Sequence, residues 1–322
     1  MLTALGLVAR SGRFWLAAGL LGGAFLHGPP QALRPWVPEL AIFLLLLAAL
    51  RIGAPAAAGQ IRDAGGALRA ALAMQLVVPL AALGILSASG LIRHEMAMVF
   101  VLIMSAPPVT AAVNFAIMLG RESAPALRLL ILGTVLAPIS ALPAFWALSA
   151  QEMPRAAAGA SLKLLLVVAG AVALGFAFRR LLPREPEPRL LEALDGLSVI
   201  ALVAMVIGLM SAVGPALETR PYEVVAWLVF AFATSFGMQA ATGLWLSRRA
   251  GASGRVAICL AAGNRNVALY LAALPPETVD SLLLFVGCYQ APMFLTPLLM
   301  RGFYRRFLPE APEARENVKG SR

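Results

Sequence analysis

Three consecutive polar residues, Asn264, Arg265 and Asn266, follow Gly263 in the middle of a long apolar stretch. Arg265 lies about ten residues from either end of the stretch, which is about 15 Å in a helix. A guanidinium at that depth in a membrane costs between about 3 and about 10 kcal/mol, so it usually faces a cavity or a partner. Its partners could be backbone carbonyls, Asn and Gln side chains or a bound anion. We therefore predict a buried cationic binding site, with an arginine that only pins the chain to neighbouring carbonyls as the alternative.

A second apolar stretch contains two successive prolines, Pro107 and Pro108, between Ser105 and Thr110. The prolines remove two backbone donors and disfavour helix in the residue before them. This stretch should therefore break into two half-helices at the prolines. The stretch that contains Arg265 should also break into two half-helices, at Gly263, because glycine is conformationally permissive. Two broken helices in corresponding positions indicate the binding site of a carrier, and their free N–H ends favour anions.

The remaining candidate substrate-binding residues are polar side chains near these breaks. Thr110 and Asn114 follow the two prolines, and Gln75 lies one helical turn before Pro79. If the two stretches are related by symmetry, Asn114 and Asn266 should meet where they cross. A single intramembrane Gln is also typical of a hydrogen bond between helices, so both roles stay open for Gln75. We expect no metal site and no cofactor.

The composition excludes a water-soluble protein and a disordered one. Of 322 residues 60% are hydrophobic and 13% are charged, whereas soluble domains are about 45–50% apolar and about 25% charged. One transmembrane domain should fill 1–308, followed by a disordered cytoplasmic tail at 309–322. Ten apolar segments are predicted, at about 14–29, 36–53, 67–90, 96–119, 125–149, 160–180, 190–214, 222–247, 255–275 and 279–302.

Basic residues are distributed very unequally over the joints between these segments. Twenty lie on one side and five on the other, and Arg265 inside a segment completes the 26. By the positive-inside rule both termini should be cytoplasmic, in an integral protein of a bacterial inner membrane. Topology thus accounts for the net charge of +10, and nucleic acid is not an expected partner. The first segment is interpreted as a retained span, with a cleaved signal peptide as the alternative.

Three local patterns recur in order in the two halves. The clearest pairs are Met74-Gln75 with Met238-Gln239 and the run 114–119 with the run 266–271. They predict two five-helix repeats, at about 10–150 and 158–308. When a unit with an odd number of spans is duplicated, the second copy enters the membrane from the opposite side. The result is the inverted topology of alternating-access carriers. A duplicated bundle without a transport role is the alternative.

These features together resemble the bile acid:sodium symporter family of ten-span carriers. The run 263–269 looks like that family's crossover motif, the proline-rich break ending at Asn114 looks like its partner, and Gln75 with Pro79 looks like the family's third-span glutamine. The resemblance covers about 10–307. It implies an all-α fold with a core of spans 3–5 and 8–10, a panel of spans 1, 2, 6 and 7, and a substrate cleft between them.

Several positions depart from the sodium-coupled members that the chain resembles. Their glutamate before the crossover glycine is Ala261 here, their hydroxyl residue before the fourth-span asparagine is Val113, and the fifth-span positions at 127–132 carry no hydroxyl group. Sodium as a partner is therefore doubtful. We hypothesise that Arg265 is a tethered cation that replaces sodium and attracts an organic anion directly.

The favoured function is secondary transport of a small or amphipathic organic anion across the lipid bilayer without sodium. The alternatives are a sodium-coupled symporter of bile-acid-like anions and a membrane sensor or scaffold that does not transport. An intramembrane enzyme is not expected, because His27 and His94 are the only histidines, both lie at span ends, and no carboxylate lies in mid-span.

Overall fold

The computed structural model describes residues 2–26, 28–62, 65–148, 154–183, 187–248 and 254–309. Within these ranges the chain is all-α, and its one element of β pairing is an isolated antiparallel bridge between Pro108 and Arg265. The predicted disordered tail lies outside the described residues from 310 onwards.

The helices of the first half begin with two short elements and end in a long one. They are α1 (Leu2–Arg10), α2 (Gly12–Phe25), α3 (Pro29–Ile52), α4 (Ala54–Arg62), α5 (Gly65–Ala88), α6 (Glu95–Ser105), α7 (Ala112–Met118) and α8 (Ala124–Leu148).

The second half repeats the pattern of long helices with one interrupted pair. Its helices are α9 (Pro154–Leu181), α10 (Pro188–Thr219), α11 (Pro221–Ser247), α12 (Arg255–Gly263), α13 (Ala268–Leu271), α14 (Pro276–Leu299) and α15 (Arg301–Phe307).

Seven of these helices, α3, α5, α8, α9, α10, α11 and α14, are long and apolar enough to cross a membrane. They coincide with seven of the ten predicted segments, so the chain is an all-α membrane protein. The first, fourth and ninth segments differ from the others. The first is the 14-residue helix α2, and the fourth and ninth are the interrupted pairs α6–α7 and α12–α13.

Prolines and glycines set many of the helix boundaries. Pro188, Pro221 and Pro276 begin their helices, where the missing N–H is not needed and the fixed φ suits the first turn. Gly120, with φ 73°, follows α7 directly after Leu119, and Gly254, with φ 76°, precedes α12. The sharp turns into and out of the interrupted pairs therefore have a local cause in the sequence.

The helices pack in two groups. The panel group consists of α1, α2, α3, α9 and α10, in which α10 lies against α1, α2 and α3. The core group consists of α5 to α8 and α11 to α15, in which α11 lies against α12 and α14 and α8 lies against α5, α6 and α12. The two interrupted pairs both belong to the core group, and α13 faces α3 of the panel group.

Candidate functional site

The first interruption lies where the two prolines predicted it. Helix α6 ends at Ser105, and Ala106 has extended backbone angles (φ −68°, ψ 150°). A residue before proline is pushed towards this conformation by the proline ring. Helix resumes only at Ala112, so the six residues 106–111 lie outside regular α-helix within the core group. The predicted break is confirmed.

The second interruption follows Gly263, and the reason for the glycine differs from the expectation. Asn264 is extended (φ −117°, ψ 95°), so the helix breaks directly after Gly263. Gly263 itself is the last residue of α12, and it is not among the glycines with positive φ. A Cβ there would lie 2.1 Å from the backbone oxygen of Ser235 in α11. Gly263 is therefore needed for close packing of α12 on α11 rather than for conformational freedom.

The two interruptions pair with each other through their backbones. The N–H of Val109 donates to the carbonyl of Asn264 at 3.0 Å, and the N–H of Asn266 donates to the carbonyl of Pro107 at 2.7 Å. These bonds form the antiparallel bridge between Pro108 and Arg265. Two broken helices thus cross within an apolar bundle, where backbone groups have no water to bind.

The guanidinium of Arg265 binds carbonyl oxygens from three different elements. Nε donates to Ala262 at the end of α12 (3.1 Å), Nη1 donates to Ala106 just after α6 (3.0 Å), and Nη2 makes a longer contact to Met74 in α5 (3.4 Å). The side chain is 1% exposed. Of the partners considered from the sequence, backbone carbonyls are therefore the ones that the structure shows.

The carbonyl of Met74 is available because α5 contains a π-helical turn at Ala73–Val77. In this turn the N–H of Val78 donates to the carbonyl of Ala73, five residues back. In the same register the carbonyl of Met74 would pair with residue 79, which is a proline without an N–H. Pro79 therefore leaves an unpaired carbonyl in α5, and Arg265 satisfies it.

Two tyrosines satisfy the last carbonyls of the half-helices. The hydroxyl of Tyr270 donates to Ser105 at the end of α6, and the hydroxyl of Tyr289 donates to Gly263 at the end of α12, both at 2.6 Å. The last carbonyls of a helix have no partner within the helix. Arg265 and the two tyrosines together therefore cap both half-helix ends at the crossing.

The helix ends also offset the charge of Arg265. The C-terminus of a helix carries a partial charge of about −0.5. Helices α6 and α12 both end at the guanidinium, through Ala106 and Ala262. Their combined charge approaches one negative unit without any carboxylate. The structure thus favours the role of Arg265 as a residue that pins the chain to neighbouring carbonyls, a role that is compatible with ligand binding.

A small cavity of about 30 Å³ lies beside the crossing, between the core group and the panel group. That volume holds about two water molecules. Its polar lining consists of Thr110, Arg265, Asn266, Tyr289 and Gln290. Its apolar lining includes Leu44 of α3 and Met205 of α10, both from the panel group. The cavity therefore has one polar and one apolar side.

Two of the predicted site residues lie in the core and away from the cavity lining. Gln75 is fully buried, and its Nε2 donates to the carbonyl of Gly133 at 3.1 Å and contacts the hydroxyl of Ser140 at 3.5 Å. Asn264 donates to the carbonyl of Leu260 and accepts from the hydroxyl of Thr296. Both side chains link helices of the core group.

Asn114 and Asn266 are not brought together. The crossing pairs Asn266 with Pro107, whereas Asn114 lies on α7 with its side chain exposed. The sequence resemblance between the two runs therefore does not place the two asparagines in contact. Of the six predicted substrate-binding residues, Thr110, Arg265 and Asn266 line the cavity.

Gln290 lines the cavity and was not predicted. It lies in α14 and is 4% exposed, directly after Tyr289. The signal that could have found it is the one that identified Gln75, an amide side chain within an apolar span. Gln290 directly precedes the Ala-Pro pair at 291–292, which resembles the Ala-Pro pair at 137–138 in the first half.

No protein-family model matches the chain, and no curated protein matches it. Function is therefore inferred from the chain's own residues.

The close packing at Gly263 predicts a large effect of a single methyl group. Gly263→Ala should lower the midpoint of thermal unfolding by several degrees, because the Cβ meets the backbone of Ser235, which cannot move aside without shifting α11. Gly237→Ala on α11 is the matched control, since a Cβ there meets no atom within 4 Å. Equal midpoints for the two purified variants would contradict this explanation of Gly263.

Removing the guanidinium should also destabilise the crossing. Arg265→Gln leaves at least two of the three carbonyls unpaired, and each unpaired buried acceptor costs about 1–3 kcal/mol. We expect a loss of about 2–4 kcal/mol in unfolding free energy, seen as a lower thermal midpoint in detergent. Arg93→Gln, at an exposed position, serves as the control. A midpoint for Arg265→Gln equal to that of the wild type would show that the carbonyl contacts are not needed for stability.

Proposed function

We propose that the chain is a secondary transporter that moves a small or amphipathic organic anion across the membrane by alternating access, without sodium. One observation carries this proposal. Two interrupted helices cross inside an apolar bundle and present a buried cation to a polar-lined cavity between two groups of helices. Irregular backbone at membrane depth persists only where it is packed in protein or lines a cavity, and carriers use such sites for substrate.

The proposal includes ten spans in two inverted repeats. Each interrupted pair then counts as one span, and α2 contributes the first. The contacts of the two repeated glutamines support the repeat. Gln75 in the third span contacts Ser140 in the fifth, and Gln239 in the eighth donates to Thr296 in the tenth. Two corresponding glutamines thus join corresponding pairs of spans, as a duplication predicts, although their hydroxyl partners do not lie at corresponding positions.

The proposed orientation has both termini in the cytoplasm of a bacterial cell, with the chain in the inner membrane. It is supported by the 20 basic residues on one side of the segments against five on the other. In this orientation α6 runs inwards and α12 runs outwards. The sequence resembles the bile acid:sodium symporter family, whose members have such a topology. Membership of that family is part of the proposal.

The charges around the cavity favour an anion. Arg265 is the one charged side chain among the described residues that line it. A cation would meet repulsion there, while an anion would gain from the part of the charge that the helix ends do not offset. The apolar side chains of α3 and α10 on the opposite wall suit a ligand with an apolar body. A small or amphipathic organic anion meets both conditions.

The same residues fit poorly with a sodium ion at the crossing. Sodium would need oxygen ligands, but the carbonyls of Ala262, Ala106 and Met74 already bind the guanidinium. Ala261 is 1% exposed and offers no carboxylate beside them. Arg265 therefore supplies the positive charge that a bound sodium ion would supply, which supports uncoupled transport or coupling to something else.

Transport by the purified protein in liposomes tests the proposal. Radiolabelled taurocholate and 4-methylpentanoate are suitable amphipathic and small probe anions. We expect uptake of at least one probe above that of empty liposomes, at initial rates within about twofold when choline replaces sodium. A strict sodium requirement would favour a sodium-coupled symporter and contradict the role assigned to Arg265. Uptake of neither probe would favour a sensor or scaffold.

Two contacts between the helix groups lie on the proposed outer side of the cavity. Arg34 of α3 pairs with Asp280 near the start of α14. Further along α14, Gly287 packs on α10, where a Cβ would lie 2.8 Å from the carbonyl oxygen of Leu209. Opening to the outside requires the groups to separate at both contacts. Under the proposed mechanism, we therefore assign the structure to a state that is closed to the outside.

Weakening the Arg34–Asp280 pair should shift the protein towards the outward-open state. In a cysteine-free background carrying Thr110→Cys, a membrane-impermeant maleimide added outside should label the Asp280→Asn variant severalfold faster than its parent. Asp195→Asn is the matched control, because Asp195 pairs with Arg51 inside the panel group. Equal labelling rates in the parent and in Asp280→Asn would contradict the assignment of this pair to the outer closure.

A further inference from the structure

Gln290 lines the cavity and has a buried amide oxygen without a hydrogen-bond partner. Its Nε2 donates to the carbonyl of Val286 at 2.9 Å, one turn back in α14. Its Oε1 is buried and unpaired. Because a backbone carbonyl only accepts, the amide nitrogen must face Val286, and the oxygen is necessarily the atom left unpaired.

An unpaired oxygen is not a general property of the intramembrane glutamines in this chain. Gln239 in α11 uses both ends of its amide, since Nε2 donates to Ser235 and Thr296 and Oε1 accepts from Tyr304. Gln75 also has an unpaired Oε1, but a Cβ on Gly133 would lie 2.7 Å from it, and Gln75 does not line the cavity. Gln290 is thus the glutamine whose unpaired oxygen belongs to a residue of the cavity wall.

The other polar groups of the cavity can all donate hydrogen bonds. Arg265 has five N–H bonds, of which three contact carbonyls. Thr110 and Asn266 are half-buried and contribute a hydroxyl and an amide. Donors suit the negative end of an anion, but they leave the acceptor at Gln290 without a partner. An unpaired buried acceptor carries a desolvation penalty, which a ligand with a donor group would remove.

We propose that Gln290 selects among organic anions by accepting a hydrogen bond from a hydroxyl or N–H group of the substrate. The preferred substrates are then anions that carry a donor near the charged end, such as hydroxycarboxylates. This inference rests on the proposed function, and it names the substrate class of the same cavity. Sites that hydrogen-bond a substrate hydroxyl discriminate strongly against the analogue that lacks it, so we expect a preference of at least about tenfold.

A matched pair of anions tests the inference on the purified full-length protein in detergent. The probes are 2-hydroxy-4-methylpentanoate and 4-methylpentanoate, which differ by one hydroxyl group, and their affinities are obtained from the ligand-dependent rise in thermal midpoint. Wild type should bind the hydroxylated anion at least tenfold more tightly. Gln290→Met keeps the length of the side chain and removes the acceptor, so it should bind both anions within about twofold. Gln290→Leu is a second apolar variant, and the midpoint without ligand shows that each variant is folded.

Gln60→Leu is the control, because it removes another unpaired buried amide oxygen, in α4 and outside the cavity lining. It should keep the wild-type preference. Similar affinities of wild type for both anions, or an unchanged preference in the two Gln290 variants, would overturn the role of Gln290 and leave the transport of organic anions standing. Binding of neither anion by wild type would overturn the proposal of small-anion transport, and this inference with it.

Discussion

The structure depends on how carbonyl groups are satisfied at two helix ends inside an apolar bundle. Where α6 and α12 stop, their last carbonyls have neither a following turn nor water to bind. One guanidinium and two phenol hydroxyls are among the donors that they find, and two backbone bonds join the interruptions to each other. Each donor comes from a different part of the crossing or from α14. The break in one helix is therefore stable only because the other helix breaks beside it.

The same requirement explains why the polar cavity lies where it does. An interruption exposes polar backbone and polar side chains, and these must face protein or a wet space. In the core group they face protein, as the buried partners of Gln75 and Asn264 show. Towards the panel group they face the cavity, where Thr110, Asn266 and Gln290 remain. A site for a polar solute in an apolar protein is thus a consequence of the crossing.

The parts of this arrangement with local causes could be predicted from the sequence. Two successive prolines in the middle of an apolar span, Pro107 and Pro108, favour a break in the helix, and Arg265 is too deep in its span to reach the membrane surface. The parts that depend on packing could not. The carbonyl of Met74 is available only because of the π turn before Pro79. The face of α7 that carries Asn114 depends on where the two interrupted helices cross. Gly263 is required because α11 approaches α12 closely at that point. Pattern matching between the two halves identified corresponding elements but not corresponding contacts.

The contacts of Arg265 also change which groups must recognise the substrate. The guanidinium donates three of its five N–H groups to carbonyls, so two remain for a ligand. Its charge is further reduced by the two helix ends that meet it. It can favour anions as a class, but such a field distinguishes poorly between one anion and another. Discrimination between anions must then come from neutral groups that have no hydrogen-bond partner until a ligand binds. In the described part of the cavity wall, the amide oxygen of Gln290 is the buried group in that condition.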